Sequence, residues 1–166
     1  SKIRNQYRAL NGLIVNGPDT ANLARLIRNS VDERGKVRDE ADENLPKLRV
    51  EIQKLIQQRS KKFDLIAESM HNKGVLQQRQ PVQRAGKLLL AVKATHAGRA
   101  GGAIHERSQS GDTIFVEPTA IMELSNRVAE TEFRIKRIEE RVFRDLSLAV
   151  LRRQDDLLIV NDIICK

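Results

Sequence analysis

Residues 100–118 read AGGAIHERSQSGDTIFVEP, and the reading of this stretch decides the fold. Two short runs of alternating polarity, Ala103–Arg107 and Thr113–Glu117, flank the turn-forming sequence Ser108-Gln109-Ser110-Gly111-Asp112. A period of two marks a strand with one buried face, and Gly111 can take the positive φ of a tight connection. A β-hairpin is therefore expected. Pro118 is expected to open the helix that follows, because its missing N–H would have no partner in a first turn.

Working upstream, Val82–Arg84 and Leu88–Lys93 read as two more strands around the turn Ala85-Gly86-Lys87. The segment 96–102 holds Gly98, Gly101 and Gly102 and reads as flexible. Long helical patterns lie on both sides of this β-rich segment. Leu45, Leu48, Ile52, Leu55, Ile56, Phe63, Ile66 and Met70 recur at helical spacing, interrupted at Arg59. The predicted helix spans 42–72, with Asp42 as N-cap, Pro46 late in the first turn, and Asn72 and Gly74 as stop signals. Downstream, Ile121, Leu124, Val128, Thr131, Ile135, Ile138, Val142, Asp145 and Ala149 keep a three-four spacing. The two long helices, 42–72 and 118–150, are expected to pack antiparallel. Shorter helical patterns cover 3–14, 154–165 and the stretch from Asp19 or Thr20 to Ser30, whose Leu23, Leu26 and Ile27 share a face. Asp32–Lys36 is a turn around Gly35. The fold class expected is mainly α: long antiparallel helices with a small antiparallel β subdomain at their tip. The domain division expected is 1–72 with 118–166 as helical core, and 73–117 as the inserted β subdomain.

Composition agrees with long solvated helices. Charged residues make up 31% and aromatic residues 3%. The net charge of +8 is unevenly spread. Residues 71–107 carry 7 Lys or Arg against 1 acid, whereas residues 118–166 are balanced at 9 against 9. A clustered basic patch is either a solvated surface or a binding surface for a polyanion, where counterion release rewards clustered Lys and Arg. The candidate nucleic-acid-binding residues are Lys73, Arg79, Arg84, Lys87, Lys93, Arg99 and Arg107. No aromatic residue lies between 64 and 114. Base stacking on an aromatic platform is thus not expected, and contacts should be to backbone phosphate, independent of sequence. No run approaches the ~20 apolar residues of a membrane span, and no membrane partner is expected. The single cysteine, Cys165, fits a reducing, cytoplasmic setting. Ser1 opens the chain without methionine, and Lys166 follows an apolar run with no capping signal, so a longer protein is expected.

Catalytic chemistry finds little support. The two Gly-Lys pairs, Gly35-Lys36 and Gly86-Lys87, lack the upstream glycine and the Ser or Thr of a P-loop. His71, His96, His105 and Cys165 lack metal-ligand spacing. His105, Glu106 and Ser108 suggest a nucleophilic triad at first sight. Adjacent residues of a strand point to opposite faces, however, so His105 and Glu106 are not expected to share a pocket. The serines are expected to serve the turn. No catalytic residue, metal ligand or cofactor is assigned within these 166 residues.

The run Gly102, His105, Ser108, Ser110, Gly111, Thr113, Phe115, Glu117, Pro118 resembles the motif G-x-x-H-[DE]-x-S-x-S-G-x-T-x-[FV]-x-E-P of the MutS-two branch of the MutS family. Asp32, Gly35, Val37, Asp39, Ala41, Leu45 and Arg49 resemble that branch's entry into a long lever helix. Leu90-Ala91-Val92-Lys93 resembles the strand before its clamp. Together these span most of residues 20–150. The chain departs from the pattern at Glu106, usually Asp, at Asp42, often Ser, and at Pro46. The resemblance implies a helical core, levers and a clamp, and a longer homodimeric ATPase using ATP and Mg, with a C-terminal Smr-type nuclease domain. It implies action on branched DNA in recombination suppression and repair, and on stalled ribosomes through ribosomal RNA. The alternative of another class is a coiled-coil interaction or dimerisation module, with Ile135, Ile138 and Val142 shared between chains.

Overall fold

The computed structural model of the protein describes residues 18–165. The helical pattern expected over 3–14 lies outside them. The chain is mainly α with one small antiparallel sheet. Its elements are α1 (Ala21–Ser30), α2 (Leu45–Asn72), β1 (Val82–Arg84), β2 (Lys87–Lys93), β3 (Gly102–Arg107), β4 (Thr113–Pro118), α3 (Thr119–Leu151) and α4 (Gln154–Ile164), with short 3-10 turns at Asp39–Ala41 and Ala94–Arg99. By contact the chain divides into two compact units, 1–46 with 136–166 and 47–135.

The unit 47–135 holds the sheet, in the order β1-β2-β4-β3. The β segment does not close its own core. Leu90, Val92, Ile114 and Val116 on one face of the sheet pack against Phe63, Ala67 and Met70 of α2 and Ile121 of α3. That shared core draws the helical residues into the same unit as the strands. Further along, Ile52 and Leu55 of α2 meet Val128 of α3, with Leu124 and Ile135 beside them. Rising numbers on α2 meet falling numbers on α3, so the two run antiparallel here.

Turn chemistry sets the hairpins. Ala85 and Gly86 both take positive φ, 47° and 76°, the two-residue turn whose twist matches paired strands. Arg84 consequently pairs with Lys87, and β2 starts one residue earlier than the apolar run. In the β3–β4 turn Gly111 has φ 80°. The Ser108 hydroxyl accepts the Thr113 N–H at 3.1 Å, and the Ser110 hydroxyl lies 3.4 Å from it.

Three expectations are corrected. The segment 96–102 is not one loop: Ala94–Arg99 is a 3-10 turn kinked at His96, with Ala94, Ala97 and Ala100 packed on the core, and Gly102 opens β3. Pro118 ends β4, paired with Gly102, and Thr119 is the first helical residue. The fixed proline φ suits either position, and pairing decides. Helix α2 begins at Leu45, not Asp42. Asp42 precedes it: one carboxylate oxygen accepts the Asn44 N–H at 2.8 Å and the other pairs with Arg141.

In the unit 1–46 with 136–166, Asp19 accepts the Ala21 N–H at the start of α1. Leu26 is 45% exposed and so does not join Leu23 and Ile27 in cover. Val31 and Val37 bridge, and Asp32 accepts the N–H groups of Arg34 and Lys36 across the turn at Gly35. These bonds hold the Asp32 carboxyl below its ordinary value, the Lys36 bond most of all. The α3 stripe reaches Val142 as a buried face, then shifts, with Asp145 exposed and Leu146 half-buried.

At Gly102 β3 lies hard against β4: a Cβ there would lie 2.1 Å from the Glu117 carbonyl oxygen. Gly102→Ala should therefore force the strands apart and destabilise the fold by about 2 kcal/mol, read as a lowered urea midpoint.

Candidate nucleic-acid interface

The second face of the sheet gathers the charges. Residues 84 and 87 on β1 and β2, and 115 and 117 on β4, lie on this face by strand alternation. His105 and Glu106 would then fall on opposite faces, but they do not. The β3–β4 register shifts between Ile104 and Glu106, so His105 is an extra residue and Glu106 lies opposite Phe115. A bulge breaks alternation and re-aims side chains.

His105 and Glu106 still form no catalytic pair, because each has another partner. The His105 Nε2 lies 2.9 Å from Glu117 Oε2. Lys87 Nζ donates to that same oxygen at 3.0 Å. The Glu117 side chain is 1% exposed. Glu106 pairs with Arg84, whose guanidinium lies 4.3 Å above the Phe115 ring. Stacking and pairing together fix the Arg84 head.

The motif residues are thereby placed. Gly102 permits the close approach of two strands, and His105 and Glu117 join across them. Ser108, Ser110 and Gly111 build the turn, Thr113 pairs with Lys93, Phe115 carries Arg84, and Pro118 closes the strand.

The same geometry divides the seven basic candidates. Arg84 and Lys87 are held on this face. Lys93 donates its ammonium to the Gly74 carbonyl at 3.0 Å, tying β2 to the end of α2. Lys73, Arg79, Arg99 and Arg107 are exposed, and their side chains have no hydrogen-bond or ion-pair partner among the described residues. The structure brings Lys73 and Arg99 to one open cleft of about 500 Å³, together with Met70 and Val75. Sequence reasoning did not single out Met70 or Val75 for this cleft, since Met70 reads as a core position and Val75 lies where the helical pattern ends. The cleft arises where a helix end and a 3-10 turn meet, which no local pattern announces. Among the described residues no helix is long and apolar enough to cross a membrane.

Burial alone would push the Glu117 carboxyl up, but the hydrogen bond and charge of Lys87, backed by Ser125 and then His105, bring it below the ordinary value of 4.5. A depressed folded-state value means stability that is present above 4.5 and lost as pH falls through the lower folded value. Denaturant midpoints taken at falling pH should drop in that acid window. Glu117→Gln should start lower at neutral pH and lose much of that acid dependence.

No family model matches the chain. Curated relatives do. A protein of Shouchella clausii named endonuclease MutS2 is 31% identical over 140 residues, 84% of this chain and 18% of its own length. The endonuclease MutS2 of Halalkalibacterium halodurans is 31% identical over 144 residues, 87% of this chain and 18% of its own. That of Fusobacterium nucleatum is 26% identical over 157 residues, 95% of this chain and 20% of its own. The chain thus spans about a fifth of the length of these relatives.

Proposed function

The chain is MutS2-like over most of its length, and from that premise we propose that it is the core, lever and clamp region of a longer nucleic-acid-binding protein. Residues 73–117, with their sheet, are the clamp, and α2 and α3 are the levers. The observation that carries this reading is the state of the basic side chains. Lys73, Arg79, Arg99 and Arg107 are free in solvent, while the neighbouring Arg84, Lys87 and Lys93 are engaged in the fold. Clustered free cations suit backbone phosphates, and such contacts carry no base sequence.

The longer protein is proposed to act in the cytoplasm as a homodimeric ATPase with a separate nuclease domain. Its targets in this reading are branched or duplex DNA, in recombination suppression and repair, or the ribosomal RNA of stalled ribosomes. Neither Gly-Lys pair is arranged as a cradle for the phosphates of ATP: Lys87 of Gly86-Lys87 is bonded to Glu117, and Lys36 of Gly35-Lys36 closes a turn on Asp32 through its backbone N–H. Nucleotide chemistry is left to the rest of the longer protein. The coiled-coil module is the weaker reading. Val142 is already 8% exposed within one chain, and Ile135 packs against Ile52, Leu55 and Val128, so this seam is used internally.

Fluorescence anisotropy with duplex DNA over a series of salt concentrations tests the proposal. Binding should weaken steeply with salt and differ little between sequences. Arg79→Glu with Arg107→Glu should weaken it and flatten the plot of log K against log salt by about 0.9 for each phosphate no longer neutralised. Unchanged affinity and slope would remove these residues from the interface. A parallel series with ribosomes and branched DNA at matched salt separates the targets.

A further inference from the structure

The cleft between the end of α2 and the 3-10 turn Ala94–Arg99 differs from the rest of the basic surface. Two cations from separate elements, Lys73 and Arg99, line it over the apolar side chains of Met70 and Val75. Met70 is 8% exposed and Val75 2%, so the floor belongs to the core and is fixed by it. Backbone bonds hold it further: Val75 N–H to the Met70 carbonyl at 3.1 Å, and Lys93 N–H to the Val75 carbonyl at 3.0 Å. Among the described residues no carboxylate lines the cleft, which disfavours a metal ion or a cationic ligand.

A helix C-terminus ordinarily repels anions through its open carbonyls. Here three of the last four, those of Ser69, Met70 and His71, are occupied. The N–H groups of Lys73, Gly74 and Val75 bond back to Ser69, His71 and Met70, and the Lys93 ammonium sits on the Gly74 carbonyl. One free guanidinium and one free ammonium head then dominate the local field. The volume lies within the roughly 300–1,000 Å³ of small-ligand clefts, far more than one phosphate needs.

We propose that this cleft takes one unpaired or terminal nucleotide, its phosphate held by Lys73 and Arg99 and its base or sugar laid on Met70 and Val75. A running duplex offers only phosphates outward and keeps its bases stacked, so it leaves the apolar floor unused. A nucleotide freed from pairing fills both halves. The thioether of Met70 is polarizable and suits the edge or face of an aromatic base. The inference rests on the nucleic-acid reading above for the source of the nucleotide, and on the cleft alone for its chemistry. It makes the site a reader of interrupted strands rather than one more point of phosphate contact.

Calorimetric titration of the 166-residue chain with thymidine monophosphate, inorganic phosphate and thymidine tests this. The monophosphate should bind tighter than either half. Lys73→Ala and Arg99→Ala, both at exposed positions, should each lower its affinity about tenfold. The same variants should abolish any preference for a duplex with a single-stranded overhang over a blunt one, with blunt-duplex affinity falling no further than loss of one charge explains. Equal binding of phosphate and monophosphate overturns the proposal, as does monophosphate binding that neither substitution weakens. No monophosphate binding, with salt-dependent duplex binding intact, overturns this proposal and leaves the broader reading standing. Monophosphate binding without any duplex binding overturns the broader reading and keeps the cleft.

Discussion

One buried carboxylate orders the sheet. Glu117 lies near the end of β4 with its side chain almost wholly out of water, and a bare carboxylate there would be costly. Lys87 from the start of β2 and His105 from β3 meet the same oxygen. Those contacts exist only when both neighbours of β4 are in register. A slip of one residue on one side would move Lys87 or His105 to the wrong face and strip Glu117 of one of its two partners. The interaction therefore does more to select one arrangement of strands than to add net stability, since Lys87 is still 43% exposed and its pairing is screened.

This changes what the most chemical-looking stretch of the chain is for. A histidine, two carboxylates and two serines within 13 residues of one another suggest an active site. Every one of these groups is instead engaged in building the hairpin, whether across strands or within its turn. The side chains left to meet another molecule are the plainer ones around it. They are not the motif residues themselves but lie in the connections and at the end of β3.

Much of the architecture was legible in the sequence because its cues are local. Gly86 and Gly111 mark turns that need positive φ, and the period of the apolar positions changes where helix gives way to strand. What escaped depends on neighbours far along the chain. The exit of β4 through Pro118 is decided by pairing with Gly102, and the start of α2 by Asp42 turning to Arg141. Alternation predicted opposite faces for His105 and Glu106, and a bulge undid it. Which cations are free was likewise unreadable. Lys87 and Lys93 look no different in sequence from Lys73, and only the register shows which of them has a partner.

The bulge at His105 bears also on the sheet's outer border. β3 is an edge strand, and an edge with open N–H and C=O groups invites a strand from another chain to dock. The extra residue at His105 breaks the spacing that such a strand would need, and Glu106 and Arg107 place charge on either side of the same border. At the opposite border β1 is only 3 residues long and ends on Arg84. The small sheet is thus guarded at both margins against pairing with a strand of another chain, in part by residues that also hold it together.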